Sequence, residues 1–172
     1  GIHISIDGEI LDLNQAASVE GFRRVLNMKD GTLSRTCAVT MKSGRKVQID
    51  SIRFCSMADD EAGVVKYSIT PLNFSGNITF LSFADADIKN ADSNYDEKFW
   101  DRVYEESVQN RAFVTARTKK TGFEVCTGVD SRLFENNRPL QATMKEVVRE
   151  KYAGCELLVN AKENQCYTLY KY

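Results

Sequence analysis

Apolar and polar side chains alternate over short runs along most of the chain. Val39 and Met41 lie two residues apart before a Ser-Gly pair, and Val47 and Ile49 lie two residues apart after it. A period of two sends alternate side chains to opposite faces of a strand, so these runs predict antiparallel strands with one buried face. The same pattern recurs in about ten segments, which predicts a mainly all-β protein.

Tight turns are predicted between neighbouring runs. Two-residue hairpin loops need positive φ values, and glycine adopts these without strain. Glu163 and Asn164 separate the last two runs and form a further hairpin candidate. Successive hairpins with little helix are typical of two packed antiparallel sheets, so we predict an antiparallel β-sandwich. The pairs that contain glycine are Asp7-Gly8, Asp30-Gly31, Ser43-Gly44 and Thr121-Gly122.

The stretch from 67 to 90, YSITPLNFSGNITFLSFADADIKN, predicts a strand, a turn and a second strand. Pro71 fits the end of the first strand, where no ladder hydrogen bond is lost. Asn73 and Asn77 each begin an N-x-S/T pattern. We interpret both as turn residues that tolerate a left-handed backbone, and not as glycosylation sites.

Two segments depart from the alternation. Residues 94–109 place Phe99, Val103 and Glu106 at helical spacing, which predicts a short helical or irregular segment within the sandwich. Residues 140–152 fit either a helix or a strand. We predict a strand there, because the segment lies between other predicted strands.

Composition adds limits on size and partners. The chain has 172 residues, of which 42% are apolar and 27% charged, and its net charge is −1. This length fits a single domain over residues 1–172. A nucleic-acid surface needs an excess of basic residues, and a membrane helix needs about 20 apolar residues in a row. The sequence has neither, so we expect no nucleic-acid and no membrane partner.

The chain begins at Gly1 without an initiator Met, so we expect it to start inside a longer protein. Its five cysteines are dispersed and form no C-x-x-C pair. This arrangement is unlike a disulfide framework or a zinc site, and it favours a reducing compartment. We therefore predict buried, unreactive thiols and a cytoplasmic location.

Candidate chemistry is sparse. Asp85 and Asp87 point to the same side of an extended chain, but Ca²⁺ needs six or more oxygens and a glycosidase pair spans a cleft. We interpret the two carboxylates as the end of a strand. His3 is the only histidine and lies in the first strand, which does not favour a nucleophile–histidine pair. We expect no catalytic residue, no metal ligand and no cofactor in this chain.

Aromatic side chains in the 94–109 segment suggest a second kind of site. Their rings can stack on the apolar face of a sugar, or they can pack back against the sandwich, and the sequence leaves both readings open. The candidate substrate contacts are therefore Tyr95, Trp100, Asp85 and Asp87.

Three stretches carry a resemblance to a known family. In order along the chain they are RVLNMKDGTLSRT (24–36), IRFCSMAD (52–59) and the stretch 67–90, and TKKTGFEV (118–125) adds to them. They resemble the N-terminal domain of glycoside hydrolase family 65, which includes maltose, trehalose and kojibiose phosphorylases. Ala86 departs from the family pattern, in which a glycine follows the aspartate, and this puts a tight turn at Asp85 in doubt.

The resemblance implies a supersandwich-like domain that precedes an (α/α)₆ catalytic barrel absent from this sequence. It implies a parent enzyme that acts on α-linked glucose disaccharides by inverting phosphorolysis, with inorganic phosphate as co-substrate, or by hydrolysis. The fragment alone is then expected to be inactive. Its expected partners are its own barrel and, in a homodimer, a second copy.

Two further expectations follow from the motifs. Arg35 and Arg53 lie within matching stretches on neighbouring predicted strands, and we interpret them as members of structural ion pairs and not as phosphate ligands. The alternative hypothesis for the whole chain is a free-standing carbohydrate-binding sandwich that uses Trp100 and Tyr95. An interdomain piece should expose an apolar patch, whereas a free-standing module should have complete edges.

Overall fold

The computed structural model describes residues 1–89 and 97–172. These residues form β-strands and their connections, and no helix among them is long and apolar enough to cross a membrane. The strands are β1 (Ile2–Ile6), β2 (Glu9–Ile10), β3 (Ser18–Asn27), β4 (Thr32–Thr40), β5 (Lys46–Cys55), β6 (Gly63–Pro71), β7 (Gly76–Asp85), β8 (Trp100–Val108), β9 (Arg111–Thr118), β10 (Glu124–Glu135), β11 (Arg138–Pro139), β12 (Thr143–Arg149), β13 (Tyr152–Ala161) and β14 (Tyr167–Lys171).

The described strands form two antiparallel sheets. The smaller sheet has the order β12-β13-β7-β1-β2, and the larger has the order β3-β4-β5-β6-β14-β10-β9-β8, with β11 paired to β10. Apolar side chains from the facing sides of both sheets form one main core. The prediction of an antiparallel β-sandwich is confirmed.

The core follows the predicted alternation. In the part of β4 and β5 nearest their shared turn, the alternate side chains Cys37, Val39, Val47 and Ile49 are buried, because this face lies against the smaller sheet. Alternate residues of β1, β7 and β13 in the smaller sheet pack against them. The principal core residues are Ile4, Ile6, Ile78, Phe80, Leu157 and Val159 from the smaller sheet, and Cys37, Val39, Val47, Ile49, Ile69 and Leu169 from the larger.

The four predicted glycine turns are confirmed as hairpins. Each joins two strands that pair with one another, and the glycines have positive φ, for example 86° at Gly8 and 64° at Gly31. The prediction at Glu163-Asn164 is wrong, although Asn164 has φ 61°. That connection leads from β13 in the smaller sheet to β14 in the larger. The loop at 72–75 likewise passes from β6 in the larger sheet to β7 in the smaller.

The prediction of a short helical or irregular segment over 94–109 is wrong for residues 100–108, while residues 97–99 have no regular structure. Trp100–Val108 is strand β8, which pairs with β9 along its length. Pairing with a neighbouring strand overrides a local spacing that fits either state. Residues 94–96 lie outside the described ranges. The strand predicted within 140–152 is confirmed as β12.

Two expectations about single residue types need correction. All five cysteines are free, as expected, but Cys55 and Cys126 are exposed because they lie where their strands extend beyond the core. Neither Asn73 nor Asn77 has the left-handed backbone that we predicted. Asn73 instead acts through its side chain, which accepts a hydrogen bond from the Lys46 amide at 2.7 Å.

Candidate functional site

The inner face of the larger sheet continues beyond the region that the smaller sheet covers. Cys37 on β4 is buried and pairs with Ile49 on β5. Two and four residues further from the core on the same face of β4, Arg35 and Leu33 pair with Ser51 and Arg53. A cleft of about 830 Å³ opens over this part of the sheet. We call it the arginine cleft.

Three arginines from neighbouring strands line the arginine cleft. Arg24 on β3 lies directly opposite Arg35 on β4, and Arg53 on β5 lies diagonally across from Arg35. Directly opposed residues have Cβ atoms about 5 Å apart, and diagonal neighbours lie about 7–8 Å apart. The strand register therefore brings three guanidinium groups to one surface.

Arg35 is the innermost of the three. Its Nη2 donates to the Tyr67 hydroxyl at 3.3 Å, and its guanidinium carbon lies 5.7 Å from the centre of the Tyr67 ring. Its Nε is buried and has no hydrogen-bond partner among the residues that the structure describes. Burial raises the pKa of Tyr67, and the charge of Arg35 opposes that rise. The tyrosine is thus a neutral hydrogen-bonding partner of the arginine.

The acidic partners expected for these arginines are not present in the described part of the chain. No carboxylate of residues 1–89 or 97–172 lies within 4.0 Å of the three guanidinium groups. The prediction that Arg35 and Arg53 form structural ion pairs is therefore wrong with respect to the carboxylates of the described residues. Two carboxylates, Glu61 and Asp85, line the cleft without reaching them.

Lys171 adds a fourth cationic side chain to the cleft wall. Its Nζ donates to the carbonyl of Phe83 at 2.6 Å and to that of Gly1 at 3.0 Å. Burial lowers the pKa of Lys171. These contacts tie β14 of the larger sheet to β7 of the smaller one, so we assign Lys171 a structural role at the boundary of the core.

An apolar surface adjoins the arginine cleft. A second hollow of about 740 Å³ lies between the tips of the β3–β4 and β5–β6 hairpins and shares Leu33 and Arg53 with the cleft. Its lining includes Leu26, Met28 and Met57, which are 63%, 86% and 97% exposed. We call this surface the apolar rim. Large apolar side chains at such exposure are typical of a surface that meets another protein domain.

Asp85 makes a local hydrogen bond and Asp87 an ion pair at the end of β7. The Asp85 Oδ1 accepts the Asp87 amide at 2.8 Å, while the described residues 86–89 form no regular turn. Both carboxylate oxygens of Asp87 accept from Lys98 Nζ at 2.7 Å, and this bond lowers the pKa of Asp87. Lys151 lies 3.7 Å from Asp87 on the other side. The described residues contain no group of three or more His, Cys, Asp or Glu side chains placed to hold a metal ion.

The aromatic candidates are not brought together with these carboxylates by the described geometry. Trp100 is half-buried at the start of β8, opposite Thr118 on β9. Tyr95 lies outside the described residues. Lys98, two residues before Trp100, donates a hydrogen bond to Asp87. Contact of any of the four residues with substrate stays a prediction.

The sequence contained a signal for the arginine cleft that our interpretation missed. Alternation on β4 continues from Val39 and Cys37 through Arg35 to Leu33, so the arginine belongs to the core-facing side of its strand. An inward-facing charged residue without a partner is costly under a covering sheet. Arg35 at such a position therefore indicates a sheet end that the smaller sheet does not cover.

Comparison with known proteins assigns the family. The profile of the glycosyl hydrolase family 65 N-terminal domain matches residues 1–172. The chain belongs to this family. The family 65 domain is 34% identical to maltose phosphorylase of Bacillus subtilis over 123 residues, which are 72% of this chain and 16% of that protein.

Other relatives cover more of the domain at lower identity. Kojibiose phosphorylase of Thermoanaerobacter brockii is 29% identical over 77% of the chain, and α,α-trehalose phosphorylase of the same organism is 23% identical over 99%. A solved putative kojibiose phosphorylase from the human microbiome has the same fold, with a TM-score of 0.81 over 99% of the chain at 23% identity. The chain spans 16–23% of the length of these curated relatives.

Proposed function

We propose that this family 65 domain is the non-catalytic N-terminal sandwich of an enzyme that acts on α-linked glucose disaccharides. The reaction is inverting phosphorolysis, with inorganic phosphate as co-substrate, or hydrolysis. The observation that carries the proposal is the uncovered end of the larger sheet, with its arginine cleft and apolar rim. A surface of this kind is suited to contact with a catalytic domain on the same polypeptide.

Support for the reaction class comes from the relatives, which are named as maltose, kojibiose and trehalose phosphorylases. Support for a scaffold role comes from the candidate residues. Asp87 is held in an ion pair with Lys98, and the single histidine, His3, packs edge-on against Phe83 at a centroid distance of 4.8 Å. Neither side chain is paired with a nucleophile in the described geometry.

The reaction part of the proposal is tested by an activity comparison. The 172-residue chain and the complete protein that carries it are each incubated with maltose, kojibiose or trehalose, with and without inorganic phosphate. We expect the complete protein to release glucose 1-phosphate or glucose, and the chain alone to release neither. Turnover by the isolated chain would overturn the non-catalytic assignment, and inactivity of the complete protein on all α-linked disaccharides would overturn the substrate class.

The scaffold part is tested by amide hydrogen exchange at the apolar rim. Peptides that contain Leu26 and Met28, or Phe54 and Met57, should exchange more slowly in the complete protein than in the 172-residue chain. The control is a peptide that contains Asn136, in the turn between β10 and β11, because this turn lies away from the apolar rim. Equal exchange at the rim in both proteins would show that no other domain covers it and would favour a free-standing module.

A further inference from the structure

We propose that Arg24, Arg35 and Arg53 form a binding site for an oxyanion. The ligand chemistry is a phosphate group or a carboxylate, each of which presents two or more acceptor oxygens. The source is either a free phosphate compound in solution or a carboxylate side chain elsewhere in the complete protein. The inference goes beyond the proposed function and does not depend on which reaction the enzyme catalyses.

Charge repulsion is the first argument. Arg24 and Arg35 lie directly opposite one another on paired strands, and like charges in that position destabilise a sheet. Arg53 places a third positive charge diagonally next to Arg35. No described carboxylate within 4.0 Å offsets this repulsion. A bound anion between the guanidinium groups would remove the unfavourable interaction.

Unused hydrogen-bond donors are the second argument. Each guanidinium carries five N–H donors in a planar arrangement that matches the oxygens of a carboxylate or phosphate. Among the described residues, the Arg35 guanidinium donates only through Nη2, to Tyr67, and its buried Nε has no partner. Neither the Arg24 nor the Arg53 side chain makes a hydrogen bond to a described residue, although the Arg24 guanidinium carbon lies 5.6 Å from the Phe22 ring centre. The cleft thus has unused guanidinium donors on one surface.

The shape and overall charge of the cleft are the third argument. Four cationic side chains and two carboxylates line it, so the lining is predominantly positive. Its volume of about 830 Å³ is larger than an isolated ion requires. The Ser51 hydroxyl lies on β5 directly opposite Arg35 and can take part as a neutral donor. The site is therefore suited to an oxyanion that is part of a larger group.

The experiment uses inorganic phosphate as the probe. The 172-residue chain is titrated with phosphate and, separately, with acetate, and binding is followed by calorimetry and by ³¹P NMR line width. Arg35→Gln removes the central guanidinium and should weaken phosphate binding about tenfold or more, which is the usual effect of losing charged hydrogen bonds. Arg35→Lys keeps the charge without the planar donors and should give an intermediate loss.

The matched control is Arg117→Gln. Arg117 is a half-exposed arginine on β9 in an ion pair with Glu124, outside the cleft lining, so its loss changes the net charge equally. Phosphate binding should be unchanged in this variant. Equal phosphate affinity in Arg35→Gln and Arg117→Gln would overturn the inference. Absence of phosphate binding by the unmodified chain would overturn it as well. Circular dichroism of every variant checks that the sheets are intact.

The two sources are distinguished by repeating the titration on the complete protein. If the ligand is a free phosphate compound, the complete protein binds phosphate as the chain does, and Arg35→Gln weakens this binding too. If a carboxylate of another domain occupies the site, phosphate binds to the chain and not to the complete protein at this site. Arg35→Gln then lowers the melting temperature of the complete protein, whereas Arg117→Gln does not. The inference would also be overturned if Arg35→Gln and Arg117→Gln of the complete protein bound phosphate equally and had equal melting temperatures.

Discussion

The two ends of the larger sheet share strands β3 to β6 and a period-two pattern, yet they have different environments. At the covered end, Cys37 and Ile49 are 1% and 0% exposed. At the uncovered end, Leu26 is 63% exposed and the inward positions include Arg35 and Arg53. The difference depends on how far the smaller sheet reaches. The comparison shows that an alternating pattern establishes which face of a strand points inward, and not whether anything lies over that face.

The residue types at the two ends follow from this difference. Burial of apolar surface under β1, β7 and β13 contributes about 25 cal/mol per Å² and favours isoleucine, valine and phenylalanine there. An unpaired guanidinium under the same sheet would have a large desolvation cost. At the uncovered end this cost is small for Arg24 and Arg53, which are exposed to solvent, and larger for Arg35, whose Nε is buried with no partner among the described residues. The uncovered end is therefore available for binding, while the covered end contributes stability.

The largest expected effect is a loss of folding stability when a core side chain at the covered end is truncated. Phe80 on β7 is fully buried and lies between Ile4 and Leu157 on the neighbouring strands. Phe80→Ala should lower the free energy of unfolding by about 3–5 kcal/mol, through lost burial and a residual cavity. Urea denaturation followed by circular dichroism measures this change.

The matched variant on the uncovered side is Leu26→Ala. Leu26 is exposed in this chain, so its truncation should change the unfolding free energy by less than about 1 kcal/mol. A loss similar to that of Phe80→Ala would show that the β3–β4 hairpin is packed in solution, and it would contradict the contrast between the two ends.

The next largest expected effect is a difference in thiol reactivity between two cysteines. Cys37 on β4 lies in the core, and burial raises the pKa of its thiol, whereas Cys55 lies exposed at the end of β5. Cys55 should react with a thiol reagent at pH 8 at least about 100-fold faster, because Cys37 needs a local opening of the sandwich before it can react. Mass spectrometry of peptides after timed labelling measures both rates.

Two other cysteines provide controls for that comparison. Exposed Cys126 should label as fast as Cys55, and buried Cys155, whose pKa is also raised by burial, should label as slowly as Cys37. In denaturant all four should react at similar rates. Rapid labelling of Cys37 in the native chain would mean that the covered end opens freely, and the two ends would then not differ in the way described.

The smallest effect concerns the ion pair at the end of β7. Lys98 lowers the pKa of Asp87, so the carboxylate favours the charged form in the folded chain. A lowered folded-state pKa gives a stabilising contribution that is present above the ordinary carboxylate pKa and is lost as pH falls through the folded-state value. Because Asp87 is exposed to solvent, the change in stability should be small.

An NMR titration of the Asp87 carboxyl carbon measures this shift. Lys98→Ala should move the pKa of Asp87 up, toward the ordinary aspartate value, because it removes the largest lowering influence and leaves the opposing effects of desolvation and Lys151. Lys119→Ala removes a lysine that lies near Asp101 and should leave Asp87 unchanged. An unaltered Asp87 pKa in Lys98→Ala would show that the ion pair does not persist in solution.

Much of the fold could be predicted because its signals are local. The glycine turns at Gly8, Gly31, Gly44 and Gly122 require positive φ, and each does join two paired strands. The prediction was wrong where a local pattern had more than one solution. The spacing in β8 fits a helix, and the Glu163-Asn164 turn fits a hairpin, but pairing with β9 and the passage between sheets determine the outcomes.

The candidate site was predicted only in part. Arg35 and Arg53 stood out in the sequence. That no described carboxylate pairs with them could not be foreseen, because such pairing depends on which strands and loops surround the guanidinium groups. The pairing of Arg24 with Arg35 depends on the register beyond an irregularity between Glu20 and Arg23. A one-residue difference in register moves a side chain to the other face, so sequence spacing alone does not place Arg24.

The sequence by itself determined the strands, most of the hairpins and the inward face of β4 and β5. These properties depend on backbone preference and on alternation within a few residues. Only the tertiary structure decided which hairpins belong to which sheet, how much of the inner face is covered, and that three arginines meet with no described carboxylate within ion-pair distance. Those outcomes depend on contacts between residues far apart in the chain, such as β7 with β13 and β6 with β14, which no local pattern encodes.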